Sequence, residues 1–390
     1  MDIGINLPFL KENIDAAMRR NYDNQKVTGA IVRVMRNGET VYEHAKGYAD
    51  LELQTPVTPQ TIYRMYSMSK PVTMTALMTL YERGLVFPED RLEDFFPAVK
   101  DMPVAVEQPD GTVTLEKQAS PITVKQLYTM TSGVAYPGDD NAGARSVLKA
   151  MDEHMRETNS LEGYLNCLAK HAALSFQPGT RWMYGFSHDV IGALIEKVSG
   201  MTFGEYLRRT IFDPLGMPDT GFYVPTAKHA RFVTAYDVTD GAPKSMAGDK
   251  EITAEYLSHP GFESGGGGLV STLDDYSRFT NMLLRGGELD GARILGRKTV
   301  EMMSTNQLSP ELMNSFSWRE RGYGYGVGMR THLTPWVING SAGEFGWDGM
   351  MGTWMAVDPA EGLTVVYLQN MFPYSNLGMR LMPMIYASLE

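Results

Sequence analysis

Cysteine is almost missing: Cys167 stands alone in 390 residues. A single thiol allows no intrachain disulfide and no cysteine-rich metal site. Its neighbours, Tyr164-Leu165-Asn166 and Leu168-Ala169, follow an amphipathic helical pattern, so Cys167 is expected as a packed core thiol. No apolar run approaches the roughly 18 residues that would span a bilayer. The start, Met1-Asp2-Ile3-Gly4, has no basic segment leading into an apolar core. The sequence thus displays no signal peptide, and a cytoplasmic location is the expectation, or a periplasmic or secreted one had a leader been removed. Basic residues are outnumbered, 35 Lys and Arg against 46 Asp and Glu, for a net charge of −11. Such a surface repels phosphate backbones and anionic lipid, and no basic run offsets it. Neither nucleic acid nor membrane is expected as a partner.

Several catalytic signatures are missing too. There is no His-Glu-x-x-His, no pair of histidines at metal-ligand spacing and no Walker loop. The Gly265-Gly266-Gly267-Gly268 run follows no strand in register for a phosphate cradle. Neither a metal nor a cofactor is therefore expected. The nucleophile elbow G-x-S-x-G is absent as well; Gly185-Phe186-Ser187-His188-Asp189 ends in Asp. Ser187 and His188 are adjacent, about 100° apart on a helix, and so poorly placed to exchange a proton.

What is present reads as an ordinary globular chain, 43% hydrophobic and 21% charged, long enough for one large domain or two joined ones. Residues 8–24 have an amphipathic helical pattern. Residues 29–36 and 40–48 are rich in β-branched and apolar side chains and flank Asn37-Gly38, a strong hairpin signal. A helix over 67–83 is apolar nearly all round, as a helix buried between layers would be. Residues 85–230 read as mostly helical, broken by Pro and Gly clusters. Beyond the glycine turn at 265–268, a helix is expected over 274–284, capped by Thr272 with Asp275 three residues on. Strand-like runs at 354–357 and 363–368 precede a last helix over 377–388. The pattern predicts an α+β fold: an antiparallel sheet of about five or more strands flanked by helices, completed from both ends of the chain, with a mainly helical insertion. The expected division is 1–84 plus 231–390 for the sheet-bearing domain and 85–230 for the insertion, with the active site in the cleft between them.

Ser67-Met68-Ser69-Lys70 has the form S-x-x-K. Residues three apart share a helix face, so a serine at the helix start can meet the lysine amine. A helix N-terminus carries roughly half a positive charge. That field and burial both disfavour an ammonium, and a neutral amine can take the serine proton. The Ser67 N–H, free at a helix start, is placed to stabilise an oxyanion. A chain of this length holds about one S-x-x-K by chance. A second copy, Ser146-Val147-Leu148-Lys149, lies in a polar stretch and reads as a serine cap with a surface lysine. The first copy precedes the buried helix and follows Tyr63-Arg64-Met65-Tyr66, which favours it.

The chain resembles the serine β-lactamase-like hydrolases: class C β-lactamases, D,D-peptidases and, most closely, family VIII carboxylesterases. The resemblance runs from about Val27 to Gln369 through six ordered blocks. They are Ser67-Met68-Ser69-Lys70-Pro71; Leu-Tyr-Thr-Met-Thr-Ser-Gly at 127–133; Pro178-Gly179-Thr180-Arg181-Trp182-Met183-Tyr184; Asp213-Pro214-Leu215-Gly216-Met217; the glycine run through Ser271; and Gly346-Trp347-Asp348-Gly349. It implies that Ser67 is acylated and that Tyr184, at the family's Y-x-N tyrosine, works with Lys70 as general base and acid. It places Trp347-Asp348-Gly349 at the K-T-G strand, with Met350 giving the second oxyanion N–H.

Two departures bear on substrate. Trp347 replaces the lysine of K-T-G, and Phe186 replaces the asparagine of Y-x-N. A β-lactam's carboxylate and side-chain amide would lose their partners there. Trp347, Asp348, Gly349 and Phe186 are the candidate substrate-binding residues, and a short-chain acyl ester is the expected substrate, with weak β-lactamase activity allowed. The alternatives are a class C-type β-lactamase, a D-amino-acid peptidase or amidase, an acyltransferase, or a non-catalytic penicillin-binding sensor. Met130 stands where the family often has a histidine.

Overall fold

The computed structural model describes residues 4–154, 160–249, 252–334 and 338–390. Helix α1, Leu7–Asp23, opens the chain with Asn6 as its N-cap, the Asn6 side chain accepting from Phe9 N–H. The hairpin β1, Gly29–Arg36, and β2, Glu39–Asp50, turns at Asn37 and Gly38, both at positive φ (53° and 87°). That is the conformation an Asn-Gly turn supplies at little cost. A short β3, Thr55–Pro56, follows. The remaining strands of the sheet come from the far end of the chain: β4 Tyr323–Tyr325, β5 Arg330–His332, β6 Phe345–Asp348, β7 Trp354–Asp358 and β8 Leu363–Gln369. The order is β4-β5-β6-β7-β8-β1-β2-β3, an eight-stranded antiparallel sheet.

The two-residue period of strands sorts its core. Ala30, Val32, Val34, Trp354, Ala356, Val365 and Tyr367 pack one way, against Leu10 and Ile14 of α1 and Leu377, Leu381 and Ile385 of the last helix. Ile31, Met355, Val357, Val366 and Leu368 pack the other way, against α2, Ser69–Glu82. Beyond α2 lies α3, Ser187–Ser199, whose Ile191 and Leu194 join the same apolar cluster. Every residue of α2 from Ser69 to Leu80 is buried, so its all-round apolar character reflects neighbours on both sides. Helix α4, Leu273–Leu284, covers the same sheet face, and Thr272 caps it by accepting from Asp275 N–H at 3.1 Å. The last helix, α5, is Leu377–Tyr386.

Two local expectations change. The stretch 85–230 holds helices, among them Ala142–His154 and Leu161–His171, but also a hairpin, Val104–Glu107 with Val113–Glu116. The helix expected from Ser67 begins at Ser69; Ser67 sits in the 3₁₀ turn Tyr66–Met68 ahead of it.

Candidate active site

The Tyr66–Met68 turn leads straight into α2. Tyr66 has φ of +45°, a backbone conformation costly for a bulky residue, immediately before Ser67. Lys70, on the first turn of α2, is wholly buried, with its amine 3.2 Å from Ser67 Oγ. That amine also donates to the Gly266 carbonyl at 2.6 Å and approaches the Tyr136 hydroxyl at 3.2 Å. Burial drives the Lys70 pKa down from 10.5 to about 7, against the opposing charges of Asp189 and Asp348. A neutral amine is thus available near neutral pH.

Tyr184 closes the group: its phenol donates to Ser67 Oγ at 2.7 Å. Burial pushes the phenol well above its ordinary pKa, so it stays protonated. Trp347 Nε1 donates to the Tyr184 oxygen at 3.3 Å, and the two rings lie 5.8 Å apart. Tyr184 and Tyr136 meet because Gly185 pairs with Ala135 in an isolated bridge. A Cβ on Gly185 would fall 2.0 Å from the Val134 carbonyl, so only glycine permits this approach.

Ser67 and Tyr184 line a cavity of about 1150 Å³. Its aromatic lining includes Trp182, Trp318, Trp347 and Tyr374 together with Tyr136, Phe186, Phe222 and Phe262. Phe186 both lines the cavity and packs edge-on to Tyr136 (4.5 Å) and Tyr164 (5.3 Å). Trp347 is 4% exposed, a wall residue backed by Trp318 and Tyr325. Asp348 also lines the cavity, and burial raises its pKa. Gly349 lies against the start of the Tyr66–Met68 turn; a Cβ there would stand 2.4 Å from the Met65 carbonyl and 2.2 Å from Thr353 Oγ1. Met350 follows at the tip of a tight turn closed by Gly352 N–H to Gly349 carbonyl, and it lines the cavity.

The rejected candidates are accounted for. Ser146 Oγ is bound to the Gly143 carbonyl and the Ala173 N–H, and Lys149 is exposed. Ser187 is buried with its hydroxyl 2.9 Å from Ser132 Oγ. Cys167 is buried in the helix Leu161–His171, and burial raises its thiol pKa. His188 follows Ser187 in the first turn of α3. It is fully buried, neither ring nitrogen finds a hydrogen-bond partner among the described residues, and burial drives its pKa far down. Met130, at positive φ, packs with Trp182 and Trp347, a position that rewards an apolar side chain.

Two residues at the site carry no motif. Tyr136 touches Lys70 directly, and Asp189 faces the cavity with a raised pKa caused by burial. The only signal for Tyr136 was an aromatic just past the Thr-Ser-Gly block; for Asp189, a lone acid in the first turn of an otherwise apolar helix. Among the described residues no helix is long and apolar enough to cross a membrane, and no cluster of His, Cys, Asp and Glu could hold a metal ion.

Comparison with known proteins yields a match of residues 11–380 to the family model described as Beta-lactamase. An uncharacterized protein of Mycobacterium tuberculosis is 30% identical over 90% of this chain and 88% of its own length. Esterase EstB of Burkholderia gladioli is 28% identical over 93% of this chain and 90% of its own. Among solved structures, EstCE1, "a hydrolase with promiscuous acyltransferase activity", superposes with a TM-score of 0.80 at 24% identity, covering 98% of this chain and 99% of that one.

Proposed function

Because this chain belongs to the beta-lactamase family, we propose that it is a serine carboxylesterase, similar to family VIII esterases, that hydrolyses neutral short-chain acyl esters through an acyl-enzyme on Ser67. The observation that carries the reading is Ser67 Oγ lying 3.2 Å from a buried lysine amine and 2.7 Å from a buried phenol, beside a cavity. Ser67 attacks the ester carbonyl while its proton passes to the neutral Lys70 amine. Tyr184, held protonated by burial, hydrogen-bonds the nucleophile and passes a proton to the departing alkoxide, regaining one from Lys70. Water then repeats the sequence on the acyl-enzyme. The N–H groups of Ser67 and Met350 would hold the oxyanion; the closeness of Gly349 to the Met65 carbonyl supports that pairing. The cleft lies between residues 1–84 plus 231–390 and residues 85–230.

Ester over β-lactam rests on the walls. Trp347 and Phe186 offer apolar faces where a β-lactam's carboxylate and amide need polar partners. The esterase activity in the name of EstB agrees with this preference. Transfer of the acyl group to an alcohol other than water is the second reading, favoured by the cavity's size and by the activity named for EstCE1.

The test is Ser67→Ala against p-nitrophenyl butyrate beside nitrocefin. Turnover of the ester should fall by about 10³-fold or more, and wild-type enzyme should form a stable mass adduct with a fluorophosphonate that the variant does not. Near-full activity in the variant ends the assignment.

A further inference from the structure

Asp189 takes no part in the steps above, yet it is 2% exposed and aimed at their centre. Its Oδ1 accepts from the Ser264 hydroxyl at 2.5 Å and from the Gly266 N–H at 3.1 Å. The carbonyl of that same Gly266 receives the Lys70 amine at 2.6 Å. One residue thus gives its N–H to the carboxylate and its carbonyl to the amine. The other oxygen, Oδ2, is buried and has no hydrogen-bond partner among the described residues. A methyl group on Gly266 would stand 2.6 Å from Oδ2 and 3.0 Å from the Tyr136 hydroxyl, which bounds how closely the two oxygens gather beside the amine's contacts. A buried carboxylate oxygen without a partner costs stability, so packing alone does not account for it.

We propose that Asp189 is a positioning residue for Lys70: one oxygen holds the 264–266 turn against the amine, and the carboxylate's charge acts on that amine. The inference rests on the acyl-enzyme reading and adds a member to its machinery.

Lys70 is surrounded by Ser67 on its own turn, Tyr136 and Tyr184 from the loops, Asp189 and His188 from α3 and Asp348 from β6. Of the charges that oppose its deprotonation, Asp189 acts more strongly than Asp348. His188 is held neutral by burial and adds none. Removing the Asp189 charge therefore loosens the proton on Lys70 and extends the neutral amine to lower pH. A residue that merely supported the fold would lower the rate and leave the pH at half-activity where it was.

The experiment is the pH dependence of kcat/KM for p-nitrophenyl butyrate in wild type, Asp189→Asn and Asp189→Glu, with melting temperatures alongside. Asp189→Asn keeps an acceptor for Ser264 and Gly266 but loses the charge. Its acid limb should move about one pH unit toward acid, with a lowered plateau. Asp189→Glu keeps the charge and should hold the limb near the wild-type position while losing rate. Should Asp189→Asn not fold, Ser264→Ala tests the tether: kcat should fall about tenfold with little change in KM. An unmoved or alkaline-shifted limb in Asp189→Asn, or wild-type kcat in Ser264→Ala, overturns the proposal while leaving the esterase reading intact. Activity surviving Ser67→Ala removes both together.

Discussion

Lys70 can act as a base because burial weakens its hold on a proton. Its pKa near 7 predicts that kcat/KM for a neutral ester rises with pH through about 7. Lys70→Arg, charged at every accessible pH, should lose about 10³-fold. The same burial carries a stability cost with a definite sign. The unfolded chain keeps this proton up to about pH 10.5, and the folded chain releases it near 7. The unfolded state binds more protons in between, so this group makes stability rise with pH across that interval. Lys70→Met should therefore flatten the rise and be more stable at neutral pH by about 1 kcal/mol or more, read by denaturant titration at several pH values. Serine and lysine were legible in the sequence because their spacing carries the chemistry. Tyr136 was not, since its contact with Lys70 joins positions 66 residues apart and no motif marks it. Asp189 was seen only as the residue that spoiled a G-x-S-x-G motif.

At the scale of elements, β6 and the turn after it are held against the Tyr66–Met68 turn by the lack of a side chain at Gly349. Gly349→Ala would force the Met65 carbonyl or Thr353 away and shift Met350 with them. The expected result is a loss of about 10²-fold in kcat/KM with a stability loss of about 1–3 kcal/mol. A variant with near wild-type kcat and a lowered melting temperature would show that the strand's position does not govern catalysis. The hairpin β1–β2 and helices α1, α2, α4 and α5 could be read in advance, because each carries a turn dipeptide, a cap or a sustained period. Strands β4 and β5 could not. Each is three residues long, too short for alternation to show, and each forms because a neighbour offers hydrogen bonds. The Val104–Glu107 hairpin was missed since its second strand is exposed throughout and has no buried face to mark it.

For the molecule as a whole, charge and cavity act in the same direction. The chain carries −11, and the cavity's charged lining residues among those described are Asp189, Glu255 and Asp348. Anionic substrates meet an unfavourable field on approach and again inside. Nitrocefin, which bears a carboxylate, should therefore gain about two- to fivefold in kcat/KM when salt is raised from low to about 0.5 M, while p-nitrophenyl butyrate changes little. Equal responses of the two substrates would refute this account. The overall class, a sheet closed from both ends of the chain around helices, was legible because the strand-like runs sit at the two extremes of the sequence. The sheet's extent, eight strands, depended on the short pairings described above.

The pairing of β1 with β8 joins residues 30–36 to residues 363–369. On the ribosome, then, the chain carrying Ser67 emerges long before β8, and the sheet has no centre until residues 363–369 are made. The nascent protein carries Ser67 before the Met350 turn and the Trp347 wall exist, and β1 waits with one edge unpaired, which a chaperone would have reason to cover.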